Sequence, residues 1–173
     1  NLTGRDALAH LFDQLSGSLR FRVEVDGTVR ELSGEETLAL LHHPDRGLRA
    51  RAYTTLLEGY AAHRVTLAGL FDGIVNDHRL ECALRGFPDP VTPTHLDNEV
   101  RPETVVVMMA ATERHYELAR EYFRLKAELL GLPRLESFDL YAPLGAAPLT
   151  VSFPEARRLV LEAFSGFSPV FAE

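Results

Sequence analysis

Residues 46–85, RGLRARAYTTLLEGYAAHRVTLAGLFDGIVNDHRLECALR, run without a single proline. Leu48, Ala52, Leu56, Tyr60, Leu67, Leu70, Ile74 and Val75 recur there at roughly helical spacing, which predicts a long amphipathic helix. Gly86 followed by Pro88 is a strong stop. Unbroken, such a helix would span about 60 Å at 1.5 Å per residue. A compact domain of this chain length has a radius of gyration of only about 16 Å. Either Gly59, Gly69 or Gly73 interrupts the helix, or the molecule is elongated.

Upstream, Thr3-Gly-Arg-Asp6 reads as a capping pattern ahead of an apolar stripe of Leu8, Leu11, Phe12 and Leu15, ended by Gly17. Phe21, Val23 and Val25 alternate with Arg20, Arg22 and Glu24, the period of a half-buried strand. Asp26-Gly27 supplies a tight turn, and Thr28 to Leu32 is the returning strand. Ser33-Gly-Glu-Glu36 is a capping box opening a short helix. Downstream, Pro88, Pro90 and Pro93 mark a rigid loop ending near Asn98. Pro102 then opens a second long helix. Its apolar face is wide: Val105, Met109, Thr112, Tyr116, Ala119, Phe123 and Leu130 form one stripe, beside Met108, His115, Leu118, Tyr122, Leu125 and Leu129. Such a face asks for partners on two sides. Phe138 to Tyr141 and Leu149 to Val151 are expected as a second small hairpin. Ser152-x-x-Glu155 caps a last helix carrying Leu159, Val160 and Phe164. The expected class is mainly α, long antiparallel helices with two small β-hairpins. One helical segment over residues 1–173 is expected, with helix, hairpin and short helix in 1–44 and the long-helix region in 45–173.

Apolar content of 46% and charged content of 25% are those of an ordinary globular protein. A net charge of −7 gives no support to a nucleic-acid or anionic-membrane partner. Cys82 is the sole cysteine, so no internal disulfide forms, which fits a reducing, cytoplasmic setting. No apolar run approaches the roughly 18 residues of a membrane helix. Asn1 stands where a methionine would start a complete chain, so a trimmed or partial protein is expected.

The seven histidines yield no metal motif: no His-x-x-x-His and no Glu-x-x-His occurs. His42 and His43 are neighbours at a helix end, His115 lies in an apolar stripe, and His78 can meet Glu81 at i,i+3. Cys82 carries no signature of a catalytic thiol and reads as a small buried group. Nucleophile-elbow and phosphate-loop motifs are absent as well. The residues by themselves assemble no active site.

Several segments, in order, resemble the oligoendopeptidase F branch of the thimet-oligopeptidase-type zinc metallopeptidases. They are the hairpin Phe21 to Val29 with Glu31-Leu-Ser-Gly-Glu-Glu36, Pro44-Asp-Arg-Gly-Leu-Arg-Ala-Arg-Ala-Tyr53, and Arg85-Gly-Phe87, where that family has Tyr for Phe. Leu96-Asp-Asn-Glu-Val100, Lys126-Ala-Glu-Leu-Leu-Gly-Leu132, Phe138-Asp-Leu-Tyr-Ala-Pro-Leu144, Ser152-Phe-Pro-Glu-Ala156 and Phe164-Ser-Gly-Phe167 continue it. The resemblance implies a zinc enzyme that cleaves short peptides inside a channel with helical walls. Its metal is held by the two histidines of a His-Glu-x-x-His and a later Glu, the motif's Glu acting as general base. No position here matches any of these, so the expectation is a non-catalytic segment preceding the zinc motif, with no cofactor of its own and zinc in the full-length parent. The substrate, an oligopeptide, is then met through that parent. Asp139 and Tyr141 are the expected channel residues, the alternative being Asp139 as a turn or cap acceptor and Tyr141 as half-buried packing, and Asn98 is expected to be a turn or cap. Self-association through exposed apolar helix faces is a further expectation. From a different class, the wide apolar stripe also suits a stand-alone helical protein-interaction module.

Overall fold

The structure is a computed structural model describing residues 4–145 and 151–172. Ten regular elements follow one another: α1 (Arg5–Ser18), β1 (Phe21–Val25), β2 (Thr28–Leu32), α2 (Gly34–Ala39), α3 (Arg46–Ala62), α4 (Arg64–Arg85), α5 (Thr92–Asp97), α6 (Pro102–Arg114), α7 (Tyr116–Leu129) and α8 (Phe153–Phe167). Short 3-10 turns sit at Leu40–His42, Ser137–Asp139 and Pro169–Ala172. The class is mainly α with one small antiparallel hairpin.

The hairpin forms as its alternation requires. Phe21 pairs with Leu32 and Val25 with Thr28, and Asp26 and Gly27 both take positive φ, 51° and 75°, as a tight two-residue turn needs. Phe21, Val23 and Val25 point inward, while β2 stays largely exposed. Ser33 and Glu36 make the reciprocal cap of α2, Ser33 N–H donating to Glu36 Oε2 at 2.7 Å and Glu36 N–H to Ser33 Oγ at 3.2 Å. Those hydrogen bonds hold the Glu36 carboxyl below its ordinary value. Asp45 caps α3, accepting from the backbone N–H of Gly47 and Leu48. Val23, Val25, Leu41, Leu48 and Ala52 form the main core, with Tyr53 and Phe138 packed against it.

The long helix of residues 46–85 breaks at none of the three candidate glycines. It breaks at His63, whose φ of −104° and ψ of 13° separate α3 from α4. Gly59 instead is a notch: a Cβ there would lie 2.4 Å from the Phe21 ring. Gly73 does the same for Leu8, seating α1 on α4. The second long helix also breaks at a histidine, His115, at φ −105° and ψ 10°. His115 is exposed rather than buried, and its Nδ1–H donates to the Ala111 carbonyl at 2.7 Å. Glycines in left-handed conformation do end helices, Gly86 after α4 and Gly131 after α7.

The expected second hairpin is corrected. Phe138 to Tyr141 is not a strand: Ser137–Asp139 is a 3-10 turn, because Asp139 folds back to accept the Glu136 N–H at 3.0 Å. The returning strand of that second hairpin falls partly on 149–150, outside the described residues, and Val151 is not in a strand. The wide apolar stripe of α6 and α7 stays uncovered among the described residues, with Met109, Phe123 and Leu129 exposed. The expected cap at Thr3 also lies outside the described residues; Gly4 stands at the N-cap of α1.

Candidate functional site

The segment after α7 returns to the start of α3 and builds the most organised polar site in the described chain. α7 ends in a Schellman motif, with Leu132 N–H bonding to Ala127 O at 2.9 Å and Gly131 N–H to Glu128 O at 3.0 Å. The chain turns through Gly131, at φ 66°, and comes back along its own helix. Lys126, the only lysine, is buried there and donates from Nζ to the Leu140 carbonyl at 2.7 Å. A strongly hydrated cation is thereby used as a fastener for the turn.

Asp139 sits at the centre of that turn and is fully buried. Its Oδ1 accepts from Arg49 NH2 at 2.8 Å and Arg46 Nε at 3.1 Å, and its Oδ2 from Arg46 NH2 at 2.9 Å. Arg46 and Arg49 stand one turn apart at the N-terminus of α3, where the helix dipole disfavours positive charge. The Asp139 carboxylate offsets both the dipole and the two guanidinium groups. Arg49 completes its own set with the His43, Pro44 and Phe138 carbonyls, at 2.8, 2.9 and 3.2 Å. Arg46, half exposed, also lies 5.0 Å above the Phe138 ring. Burial alone would push the Asp139 carboxyl up. The hydrogen bonds from Arg46, the Glu136 backbone and Arg49, with the Arg46 charge, hold it below the usual carboxylate range.

The two expected site residues therefore differ in kind. Asp139 has both oxygens engaged and no exposed surface, so it fixes the turn. Tyr141, two residues on, is exposed and its ring lies 5.0 Å from that of His42, tilted by 36°; His42 ends the 3-10 turn after α2. Ala142 N–H donates to Asp139 O at 3.0 Å, tying the orientation of residues 140–142 to the clamp. Arg46, Arg49 and Lys126 lie in the segments that carry the resemblance, but sequence reasoning assigned none of them to a site. The available signal was two arginines in the first turn of α3, on the wrong side of the dipole.

Other candidates carry no site. Asn98 caps α5, its side chain donating to Thr94 O at 2.8 Å. His78 Nε2–H donates to the Pro90 carbonyl at 2.8 Å, with Cys82 Sγ 3.6 Å away, while Glu81 pairs with Arg85 instead. Cys82 is only half-buried. His43 Nδ1 accepts the Asp45 N–H at 3.0 Å. An open groove of about 460 Å³ runs between α7 and residues 132–135, but Arg120, Arg124 and Arg134 along it are paired with Glu117 and Glu136. Among the described residues no three His, Cys, Asp or Glu side chains converge as a metal site requires. No helix among them is long and apolar enough to cross a membrane.

No protein-family model matches the chain. An oligoendopeptidase F homolog of Lactococcus lactis subsp. lactis (strain IL1403) is 32% identical over 107 residues, which are 61% of this chain and 18% of that protein. The solved oligoendopeptidase-F of Enterococcus faecium shares the fold at a TM-score of 0.75 with 27% identity, over 93% of this chain and 31% of that one. A solved chain from Bacillus anthracis str. Ames matches 97% of this chain at a TM-score of 0.79 and 14% identity, a likeness of fold alone. The chain thus spans 18% of the length of the Lactococcus relative and 31% of each of these two solved chains. In sequence and in fold, the chain is similar to a segment of oligoendopeptidase F proteins.

Proposed function

We propose that this segment forms part of the helical wall of the substrate channel in a zinc-dependent oligoendopeptidase that hydrolyses short peptides in the cytoplasm. The observation that carries the reading is the joint match to the Enterococcus faecium oligoendopeptidase-F, in fold over 93% of the chain and in sequence at 27% identity. The segment is not the catalytic part. Its sequence has no His-Glu-x-x-His. No step of zinc chemistry is assigned to residues of this chain. In the reading proposed here, Tyr141 faces the peptide and Asp139 acts through it: the Arg46–Asp139–Arg49 clamp holds the turn on which Tyr141 is displayed.

The test is to read the source gene beyond Glu173, express the peptidase-length product, and compare it with the 173-residue chain. An in-frame His-Glu-x-x-His downstream is expected, with chelator-sensitive peptide turnover by the long protein and none by the short chain. Tyr141→Ala in the long protein is expected to raise KM with little change in kcat, as loss of a binding contact does. A stop codon close after Glu173, or zinc-dependent turnover by the short chain alone, would overturn the proposal.

A further inference from the structure

We infer that α6, with the apolar faces of α7 and α8, is interior surface: further polypeptide of a peptidase-length chain encloses Val105–Ala111 on several sides. The inference rests on the preceding reading that the segment is built into a longer peptidase, and it specifies which of its faces cannot line the channel.

The pattern of α6 is the first ground. Val105-Val-Val-Met-Met-Ala-Ala111 is an unbroken apolar run. At 100° per residue it passes almost twice around the helix, so no side of α6 is polar there. Val106, Val107, Met108 and Met109 are nevertheless 67, 66, 56 and 47% exposed. A helix apolar all round belongs where neighbours surround it. α7 and α8 are different. Leu118, Tyr122, Leu125 and Leu129 make one stripe of α7, while Glu117 holds Arg120 and Arg124 on the other side. On α8, Leu159, Val160, Phe164 and Phe167 are apolar and exposed, and Arg158 bridges Glu155 and Glu162. Those two helices each have one face for water; the Val105–Ala111 stretch of α6 has none.

Area is the second ground. The chain exposes 13178 Å², where a folded monomer of 19.3 kDa exposes about 8,500 Å². The excess, about 4,700 Å² on this one chain, is several times the roughly 800 Å² that each partner gives to a standard contact. Among the described residues no side chain is buried from Phe71 to Leu125, nor from Pro143 to Phe171. A two-fold contact with a second copy covers one flat side and leaves the rest of α6 wet. A peptide in transit leaves an apolar wall bare between turnovers. The solved chains with this fold are some three times longer, so in them one polypeptide has material to spare for the enclosure.

Hydrogen exchange read by mass spectrometry tests this in two proteins. In the isolated 173-residue chain, Val105–Ala111 is expected to exchange at nearly the free-peptide rate, while β1, β2 and α3 exchange at least a hundredfold more slowly. In the peptidase-length protein the same residues are expected to join the slow class. Slow exchange of α6 in a monomer of the short chain would overturn the inference. So would protection that rises with protein concentration as light scattering reports a dimer, or protection induced by adding a casein digest to the short chain. Those outcomes name a second copy or a peptide as the occupant. Peptide turnover by the long protein is measured in parallel. Turnover with α6 still fast rejects enclosure alone, and slow α6 without turnover rejects the peptidase reading alone.

Discussion

α3 and α6 are helices of similar kind with opposite fates. α3 carries three arginines and a glutamate, yet buries Leu48, Arg49, Ala52 and Leu56. α6 has a solid apolar centre and buries nothing among the described residues. What decides is the supply of partners. α3 meets the inward face of β1, the 3-10 turn at Leu40–His42 and the returning turn at Ser137–Asp139, all brought to it by short connections and one long-range clamp. α6 meets chiefly its own continuation, α7. Most helical stability in proteins comes from tertiary packing of an apolar face, and a 13-residue helix without it is marginal. Burial thus maps which faces this segment closes by itself and which it leaves for others.

The sharpest way to break the comparison is to remove the clamp. Asp139→Ala leaves the guanidinium of Arg49, 3% exposed, without its carboxylate. A loss of about 3–5 kcal/mol is expected, as for breaking one side of a buried ion pair. Urea unfolding followed by circular dichroism measures it, and a change within experimental scatter would show that the returning turn is not fastened by this pair. Asp139→Asn separates charge from shape. Because the folded-state pKa is depressed, the clamp's contribution is present above the unfolded value near 3.9 and is lost as pH falls through the folded value. The wild-type chain should therefore lose stability below about pH 4 more steeply than the Asn variant.

A matched pair of truncations comes next. Leu48→Ala, at a residue 2% exposed, is expected to cost about 2–5 kcal/mol. Phe123→Ala, at 41% exposed, should cost the isolated chain well under 1 kcal/mol, comparable with other surface changes. Equal costs at both positions would erase the distinction between a closed and an open region. In the peptidase-length protein, by contrast, the Phe123 cost should rise towards that of Leu48.

The legibility of the sequence follows the same division. Hairpin, capping box and the Gly86 and Gly131 stops were readable because they are local: turn chemistry and caps act within a few residues. The break at His63 was not, because no glycine or proline marks it, and the glycines nearby serve as notches for Phe21 and Leu8. At Asp139 a turn or cap acceptor was legible, but what fastens that turn was not. The fastener is a pair of arginines some 90 residues earlier, and alternation around Phe138 imitates a strand. The wide stripe of α6 and α7 is legible as apolar, but what covers it is not, since periodicity reports what a face is made of and not what stands opposite. Asp139 and Tyr141 were picked out by their place in the chain. That one is a buried fastener and the other a displayed ring needed the three-dimensional arrangement.

Gly59→Ala probes how tightly the closed region is packed. The added methyl would fall 2.4 Å from the Phe21 ring, itself 1% exposed and held against Tyr60. Overpacking of this kind costs about 1–3 kcal/mol. Phe21→Leu in the same background should return part of it by opening the notch. If Gly59→Ala instead stabilises the chain, as a helical glycine replacement does where space is free, then α3 and β1 are not in close contact and the contrast with α6 weakens.

Ser33→Ala carries the smallest expected effect. It removes the acceptor for the Glu36 N–H at the start of α2 and leaves Glu36 still bonded to the Ser33 backbone N–H. Loss of such a cap costs about 1 kcal/mol. α2 is only six residues long, so it has no turn to spare for fraying, and Thr37, fully buried, donates from Oγ1 to the Ser33 carbonyl at 2.8 Å. Fraying there would loosen Leu41, which α2 delivers to the core beside Val23 and Leu48. The change should therefore register in the denaturation midpoint and in faster amide exchange at β1, and leave exchange in α6 untouched. An unchanged midpoint with unchanged exchange at β1 would mean that the cap does not hold Leu41 in the core.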